Sequence, residues 1–152
     1  RPKGHEKQFA DMTDAVKSAV KLLANQLNDY HLHTHYSPIS ISWCNLPAIS
    51  QVVVNILINA KQACDSNRSE AQITVSVYEI EHHIYIDIED NGDGIEKELT
   101  KDIFFPTISG KQSSGLGLSI AQSLVQNHHG IIELNQNDQI TCFSVLLPFN
   151  PK

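Results

Sequence analysis

Two asparagines stand out in an otherwise apolar segment of the chain. Asn55 and Asn59 lie four residues apart, so in a helix they occupy the same face. A buried amide that stays unpaired costs ~1–3 kcal/mol, so one such residue needs a local partner and two on one face suggest a shared polar ligand. Because an amide oxygen is a suitable ligand for Mg²⁺, this face is a candidate metal and ligand site.

A second motif, Asp90-Asn91-Gly92-Asp93-Gly94, follows an apolar strand pattern. A strand end can hold the Asp90 carboxylate rigidly as an acceptor for a ligand amine, while the glycines let a ligand approach the backbone closely. The same residues also suit a tight acidic turn, because Asn-Gly and Asp-Gly are common hairpin loops. The motif alone leaves both interpretations open.

A third motif, Ser113-Ser114-Gly115-Leu116-Gly117-Leu118, is a glycine-rich turn that opens a helical pattern. Exposed N–H groups at a helix start form an anion site, although Gly-Leu-Gly is not specific by itself. His31, His33 and His35 share one face of a predicted strand and could bind a metal. Since no cysteine or carboxylate at suitable spacing completes such a set, a solvated polar strand face is the favoured interpretation.

Composition limits the possible functions. With 152 residues, 41% hydrophobic and 18% charged, the chain suits one soluble globular domain. A net charge of -6 argues against general nucleic-acid binding. The three cysteines are odd in number and widely spaced, which fits a reducing cytoplasm. No apolar run reaches membrane-spanning length, and the start at Arg1 rather than Met indicates a fragment of a longer protein.

Periodicity predicts the elements that position these motifs. Helices are expected over 8–29, from near Pro47 to Ala63, and over 116–129 with Gly130 as the C-terminal cap. Strands are expected at 31–36, 73–78, 83–88, 131–134 and 140–147. The stretch Glu96–Ser114 has no clear period and is too long for an idle connection, so it is a candidate mobile lid. The predicted fold is an α+β, two-layer sandwich with helices on one face of a mixed, mostly antiparallel sheet.

The ordered set of motifs resembles the catalytic ATP-binding domain of sensor histidine kinases, within the gyrase, heat-shock chaperone, histidine kinase and mismatch-repair ATPase superfamily. Asn55-x3-Asn59-Ala60 looks like its N box, Asp90-x-Gly92-x-Gly94 its G1 box, and the stretch 115–118 its G2 box. The segment 104–111 is similar to the short lid of nitrogen-regulation sensor kinases. The resemblance implies a Bergerat-type ATP-binding fold over 11–150, a lid at about 96–114, and a tail at 1–10 that follows a dimerisation and phosphoacceptor domain.

The resemblance also implies roles for individual residues. Asp90 would bind the adenine amine, with Gly92 and Gly94 nearby. Asn59 would hold Mg²⁺ and Asn55 would lie near the phosphates of ATP. The backbone of Gly115, Leu116, Gly117 and Leu118 would cradle phosphates, and Lys111 in the lid would reach the γ-phosphate. Two positions depart from the wider pattern, since Ser113 replaces the first G2 glycine and Gln62 replaces a lysine. Asp93 receives no role.

The implied activity is phosphoryl transfer from ATP–Mg²⁺ to a histidine on a separate helical domain, for relay to a response regulator receiver domain. A nitrogen-signalling regulatory protein is a further implied partner, and neither nucleic acid nor membrane is expected to contact the chain. Asn55 stands where hydrolytic relatives carry Glu, and an amide cannot take a proton from water, which favours transfer over hydrolysis. The alternatives are an ATPase clamp of the gyrase or mismatch-repair type and an anti-sigma-factor serine kinase.

Overall fold

The computed structural model describes residues 6–105 and 117–149. Three α-helices lie in this part of the chain: α1 (Met12–Leu22), α2 (Leu46–Ala63) and α3 (Gly117–Gln126). The strands are β1 (Gln8–Ala10), β2 (His31–Tyr36), β3 (Ser42–Cys44), β4 (Gln72–Ile80), β5 (His83–Asp90), β6 (Ile131–Gln136) and β7 (Thr141–Pro148). Short 3-10 helices cover Asp65–Glu70 and Lys97–Asp102.

Five strands form the main sheet in the order β2-β4-β5-β7-β6. Only the pairing of β2 with β4 is parallel, and the other three pairings are antiparallel. Alternate residues of the strands are buried, and the largest side chains of this buried face are Ile73, Ile84, Ile86, Ile88, Phe143 and Leu147. Their apolar face packs in one core with the buried faces of the helices. This arrangement confirms the predicted two-layer α+β sandwich.

The N-terminal region differs from the single long helix predicted over 8–29. Residues 8–10 instead form β1, which pairs antiparallel with β3. The side chain of Asp11 accepts a hydrogen bond from Thr13 N–H at 2.8 Å, so α1 begins at Met12. The helix ends at Leu22, yet Leu23 and Leu27 remain buried in the turns that follow. The apolar pattern therefore extends beyond the end of the helix, because the turns that follow it are also buried.

The end of α3 also differs from its prediction. The residue in the left-handed conformation is His129, with φ 62°, and not Gly130. Gly130 N–H bonds Val125 O at 3.0 Å and His129 N–H bonds Gln126 O at 2.9 Å, the two bonds of a Schellman motif. A Cβ at Gly130 would lie 2.4 Å from the carbonyl oxygen of Leu146. Gly130 is therefore needed for close packing on β7 rather than for its backbone angle.

The three histidines of β2 lie on the solvent-facing side of an edge strand, and all three are exposed. A ring nitrogen of His33 lies 2.8 Å from Gln72 Oε1 on the neighbouring strand. Within residues 6–105 and 117–149, no group of three or more His, Cys, Asp or Glu side chains is placed to hold a metal ion. No helix in the same ranges combines the length and apolar character that a bilayer span requires.

Candidate functional site

Helix α2 carries the first set of candidate residues. Asn45 caps its start by accepting a hydrogen bond from Ala48 N–H at 2.9 Å, and Pro47 fits the first turn. Its core-facing side is made of fully buried apolar residues: Ile49, Val52, Val53, Ile56, Leu57 and Ala60. Asn55 and Asn59 are partly exposed at the border of this stripe. The helix therefore holds both amides at the edge of the core, where a ligand can reach them.

The Asn55 amide joins α2 to the start of α3. Its Nδ2 donates to the carbonyl oxygen of Gly117 at 3.0 Å, and its Oδ1 accepts from Gln51 Nε2 at 2.6 Å. Gly117 is the first residue of α3 and belongs to the glycine-rich motif. The structure therefore brings two of the three predicted motifs into direct contact.

Asn59 lies one helical turn beyond Asn55, about 6 Å further along the axis. Within the described part of the chain, the Asn59 side chain makes no hydrogen bond, although it is only partly exposed. An amide oxygen with no protein partner in this position can serve as a ligand to a hard cation such as Mg²⁺. The chemistry of the residue therefore fits the metal role that the resemblance implies.

Asp90 ends β5 and is only 2% exposed. Its Oδ1 accepts a hydrogen bond from Gly92 N–H at 2.9 Å, and Oδ2 accepts none from the described residues. Burial raises the pKa of Asp90 to about 6; the Gly92 N–H lowers this pKa and the charge of Asp93 raises it. The structure therefore holds a buried carboxylate with one oxygen open to a hydrogen-bond donor.

The loop after Asp90 packs on the end of α2. The N–H of Asp93 donates to the carbonyl oxygen of Ala63 at 2.9 Å, and its carboxylate accepts from Ser66 Oγ at 3.3 Å. Asp93 therefore caps the C-terminus of α2, a role that its sequence did not indicate. A Cβ at Gly92 would lie 2.3 Å from the same Ala63 oxygen, while Gly94 adopts a φ of 78°. At Gly92 it is thus the backbone of α2, and not a ligand, that approaches the glycine closely.

Two polar residues near Asp90 were not predicted from the sequence. Thr141, 4% exposed, is the cross-strand partner of Asp90 on β7. Gln136 lies at the end of β6, where its side chain bonds both the N–H and the carbonyl of Ile95, at 3.1 and 2.9 Å. Thr141 Oγ1 also lies 3.3 Å from Gln136 Oε1. The sequence signal for Thr141 was a polar residue at a core-facing strand position. Placing it beside Asp90 requires knowledge of the register between β7 and β5.

Part of the predicted site falls outside the described residues. Lys111, Gly115 and Leu116 belong to this part, whereas Gly117 and Leu118 lie at the start of α3. The first residues of the expected lid are described and include a 3-10 helix over Lys97–Asp102. After this helix, Phe104 packs edge-on against Phe143 of β7, with ring centroids 6.1 Å apart. The beginning of the expected lid is therefore anchored on the core.

The described motifs follow one another along the second half of α2. The start of α3 contacts Asn55, Asn59 lies one turn further, and the Asp90 loop contacts Ala63. The rise from Asn55 to Ala63 is about 12 Å at helical spacing. Three groups thus follow one another along α2: a helix start able to bind an anion, an amide able to bind a cation, and a carboxylate able to bind an amine.

Comparison with known proteins identifies the family of the chain. Residues 44–151, well over half of the chain, match the family model described as histidine kinase-, DNA gyrase B- and HSP90-like ATPase. The sensory histidine kinase/phosphatase NtrB of Klebsiella oxytoca is 38% identical over 147 residues, which cover 88% of this chain and 41% of that protein. The signal transduction histidine-protein kinase AtoS of Escherichia coli is 40% identical over 106 residues, covering 68% and 17% of the two chains.

Solved structures show the same fold. The mycobacterial sensor histidine kinase MprB has a TM-score of 0.83 and 22% identity, with 96% of this chain and 99% of that chain covered. The nucleotide-free catalytic domain of histidine kinase ThkA has a TM-score of 0.85 and 20% identity, with 96% and 97% covered. The chain spans well under half the length of the two curated relatives. On the family match and the shared fold, the chain belongs to the histidine kinase-, DNA gyrase B- and HSP90-like ATPases.

Proposed function

We propose that this chain is the ATP-binding catalytic domain of a two-component sensor histidine kinase of the nitrogen-regulation branch. In this proposal it binds ATP and Mg²⁺ and transfers the γ-phosphate to a histidine on a separate helical domain. The phosphoryl group then passes to the receiver domain of a response regulator. The similarity to NtrB over most of the chain supports the nitrogen-regulation branch.

The observation that carries the proposal is the state of Asp90. A carboxylate that is 2% exposed and has an open oxygen is costly in the empty protein, and its raised pKa reflects that cost. The exocyclic amine of adenine is a neutral donor that can satisfy this oxygen. Since the loop after Asp90 contacts the C-terminal end of α2 and Gly117 contacts Asn55 in its middle, the base would lie near the helix end and the phosphates near Asn55.

The remaining residues would act at the phosphate end. Asn59 would bind Mg²⁺, and Asn55 would lie near the phosphates beside the start of α3. The backbone of residues 115–118 would cradle phosphate oxygens, and Lys111 would approach the γ-phosphate. Bound Mg²⁺ neutralises charge on the phosphate oxygens, so the protein itself needs only to position and shield the transferring group.

We further propose the domain limits and partners that the family resemblance implies. Residues 11–150 would form the catalytic domain with a lid at about 96–114, and residues 1–10 would connect it to the dimerisation and phosphoacceptor domain. A cytoplasmic location fits the three cysteines, which are all free thiols. A nitrogen-signalling regulatory protein would be a further partner.

The two alternatives receive less support. In an ATPase clamp, a carboxylate must activate water, but Asn55 is an amide and donates its N–H to Gly117. The two curated relatives described above, NtrB and AtoS, are both histidine kinases. Transfer to a histidine therefore remains the better account of the site.

Two measurements test the proposal. Calorimetry with a non-hydrolysable ATP analogue and Mg²⁺ should show one binding site per chain. Loss of binding without added Mg²⁺ would show that the metal contributes to the affinity. Incubation with γ-labelled ATP should leave the chain alone unlabelled and should label an added phosphoacceptor helical domain. The label should be lost in acid and stable in base. Base-stable, acid-labile label on this chain alone would contradict the proposal, as would the absence of analogue binding.

A further inference from the structure

Both polar atoms of the Asn55 side-chain amide form hydrogen bonds. Its Nδ2 reaches the Gly117 carbonyl at 3.0 Å, and its Oδ1 lies 2.6 Å from Gln51 Nε2, one turn earlier on α2. Gln51 is itself exposed on the helix surface. The chain thus contains a relay of three residues that runs from the surface of α2 to the first residue of α3.

The hydrogen-bonding chemistry of this relay permits one orientation only. A backbone carbonyl can accept but cannot donate, so the group of Asn55 that faces Gly117 must be its NH₂. The oxygen of Asn55 then faces Gln51, which must offer a donor. Reversing the Asn55 amide would place two oxygens against each other at Gly117. A donor at position 51 therefore supports the tie to α3, and a residue that offers only acceptors opposes it.

We propose that Gln51 is a positioning residue, which orients the Asn55 amide and through it ties the start of α3 to α2. This inference rests on the proposed function in one respect, namely that the start of α3 receives the phosphates of ATP. A helix start that is already held in place loses less conformational freedom when the nucleotide arrives. Gln51 would thereby strengthen nucleotide binding without touching the nucleotide.

Three substitutions separate this role from general helix stability. Gln51→Glu keeps the shape of the side chain but offers only acceptors, so the Asn55 amide should turn its NH₂ towards position 51 and away from Gly117. Gln51→Lys keeps a donor and should retain the native orientation. Gln51→Met offers neither group, so the Gly117 carbonyl alone would hold the Asn55 NH₂ and the tie to α3 should be weaker than in the original chain. All three residues have helix propensities close to that of Gln.

The first readout needs no nucleotide. Amide hydrogen exchange in the first turns of α3, at residues 121–124, should be about fivefold faster in Gln51→Glu, because one net hydrogen bond is worth about 1 kcal/mol. Gln51→Lys should match the original chain, and Gln51→Met should lie between the two. In an Asn55→Ala background, Gln51→Glu should produce no further change, because the intermediate residue is missing. Equal exchange in the Glu and Lys variants, or a Glu effect that persists without Asn55, would overturn the inference.

The second readout is the affinity for an ATP analogue with Mg²⁺, measured by calorimetry. Affinity should fall severalfold in Gln51→Glu and stay within twofold of the original in Gln51→Lys. If the original chain binds no analogue, the proposed function fails while hydrogen exchange still decides the role of Gln51. If the chain binds the analogue but the Glu and Lys variants do not differ in affinity, the contribution of Gln51 to binding is refuted although the function stands.

Discussion

His128, near the end of α3, accepts a hydrogen bond from the backbone N–H of Asn45 at 3.1 Å. Its other ring nitrogen bonds the carbonyl of Leu124 at 2.9 Å. A carbonyl accepts and an N–H donates, so the ring must be neutral, with the proton on Nδ1. Because Asn45 caps α2, this bond ties the start of α2 to the end of α3. The Asn55 bond to Gly117 ties the middle of α2 to the start of α3.

The first prediction follows from the neutral state of this ring. Burial lowers the pKa of His128, the bond to Leu124 raises it by a smaller amount, and the nearby charges of Lys7 and His129 lower it further. A folded-state pKa below the unfolded value of about 6.5 means that this stability is present above pH 6.5 and is lost as pH falls through the folded pKa. Urea denaturation should show this loss, and His128→Gln, which keeps an acceptor for Asn45, should remove it.

His35→Gln is the matched control, because it makes the same change at a histidine that is exposed on β2. It should leave the acid loss of stability unchanged. At pH 7.5, His128→Gln should cost about 1 kcal/mol of unfolding free energy, since the longer amide fits the Asn45 bond less well. Identical pH profiles for the original chain and His128→Gln would contradict the assignment.

The second prediction is that Asp90→Asn abolishes nucleotide binding while it stabilises the empty protein. The amide would present one acceptor and one unwanted donor to the adenine amine, so analogue affinity should fall by at least 100-fold. The folded pKa of about 6 lies above the ordinary value of 3.8 for an unfolded aspartate, so stability from this group is present below pH 4 and is lost as pH rises through 6. The variant avoids this loss and should gain up to about 3 kcal/mol at pH 7.

Denaturation of the nucleotide-free chain between pH 4 and 8 measures this gain. Asp138→Asn removes an exposed charge from the loop between β6 and β7 and should change neither stability nor affinity. Undiminished affinity in Asp90→Asn would remove Asp90 from the adenine site. An unchanged pH profile would show that its carboxylate is not buried in solution.

The third prediction links binding to protons. Adenine needs the ionised form of Asp90, and this residue has a pKa of about 6 in the empty protein. Analogue affinity should therefore rise as pH increases from 5 to 7 and then level off. Near pH 6, binding should release protons, which calorimetry in two buffers of different ionisation enthalpy detects. Affinity that is constant from pH 5 to 8, with no proton release, would show that Asp90 does not titrate on binding.

Much of the fold was accessible from the sequence because one face of each element is buried. Alternation predicted β4, β5 and β7, whose core-facing residues are all buried. The two asparagines and the Asp90 motif were visible because polar residues interrupted apolar patterns. The shared helix face of Asn55 and Asn59 and the strand-end position of Asp90 follow from helix and strand rules that apply locally. The predicted sandwich fold was therefore correct, and the functional roles of Asn55, Asn59 and Asp90 stay predictions.

The parts that the sequence did not reveal depend on contacts between distant segments. The pairing of β1 with β3 is one case, since three residues carry no reliable strand pattern of their own. The partner of Asn55 is another, because Gly117 lies 62 residues further along the chain. The role of Asp93 in capping α2 involves a backbone N–H, which any residue carries. Residue types alone cannot indicate such contacts.

The last prediction separates the two glycines of the Asp90 loop. A Cβ at Gly92 would lie 2.3 Å from Ala63 O and 2.9 Å from Cys64 N, both backbone atoms of the α2 end. Gly92→Ala must therefore push the loop away from the helix and should destabilise the nucleotide-free chain by more than 2 kcal/mol. At Gly94 the added Cβ has room, and the φ of 78° makes the cost of Gly94→Ala about 1 kcal/mol. Urea denaturation without nucleotide compares them directly. If Gly92 served only to admit a ligand, Gly92→Ala would weaken analogue binding and leave the stability of the empty protein unchanged.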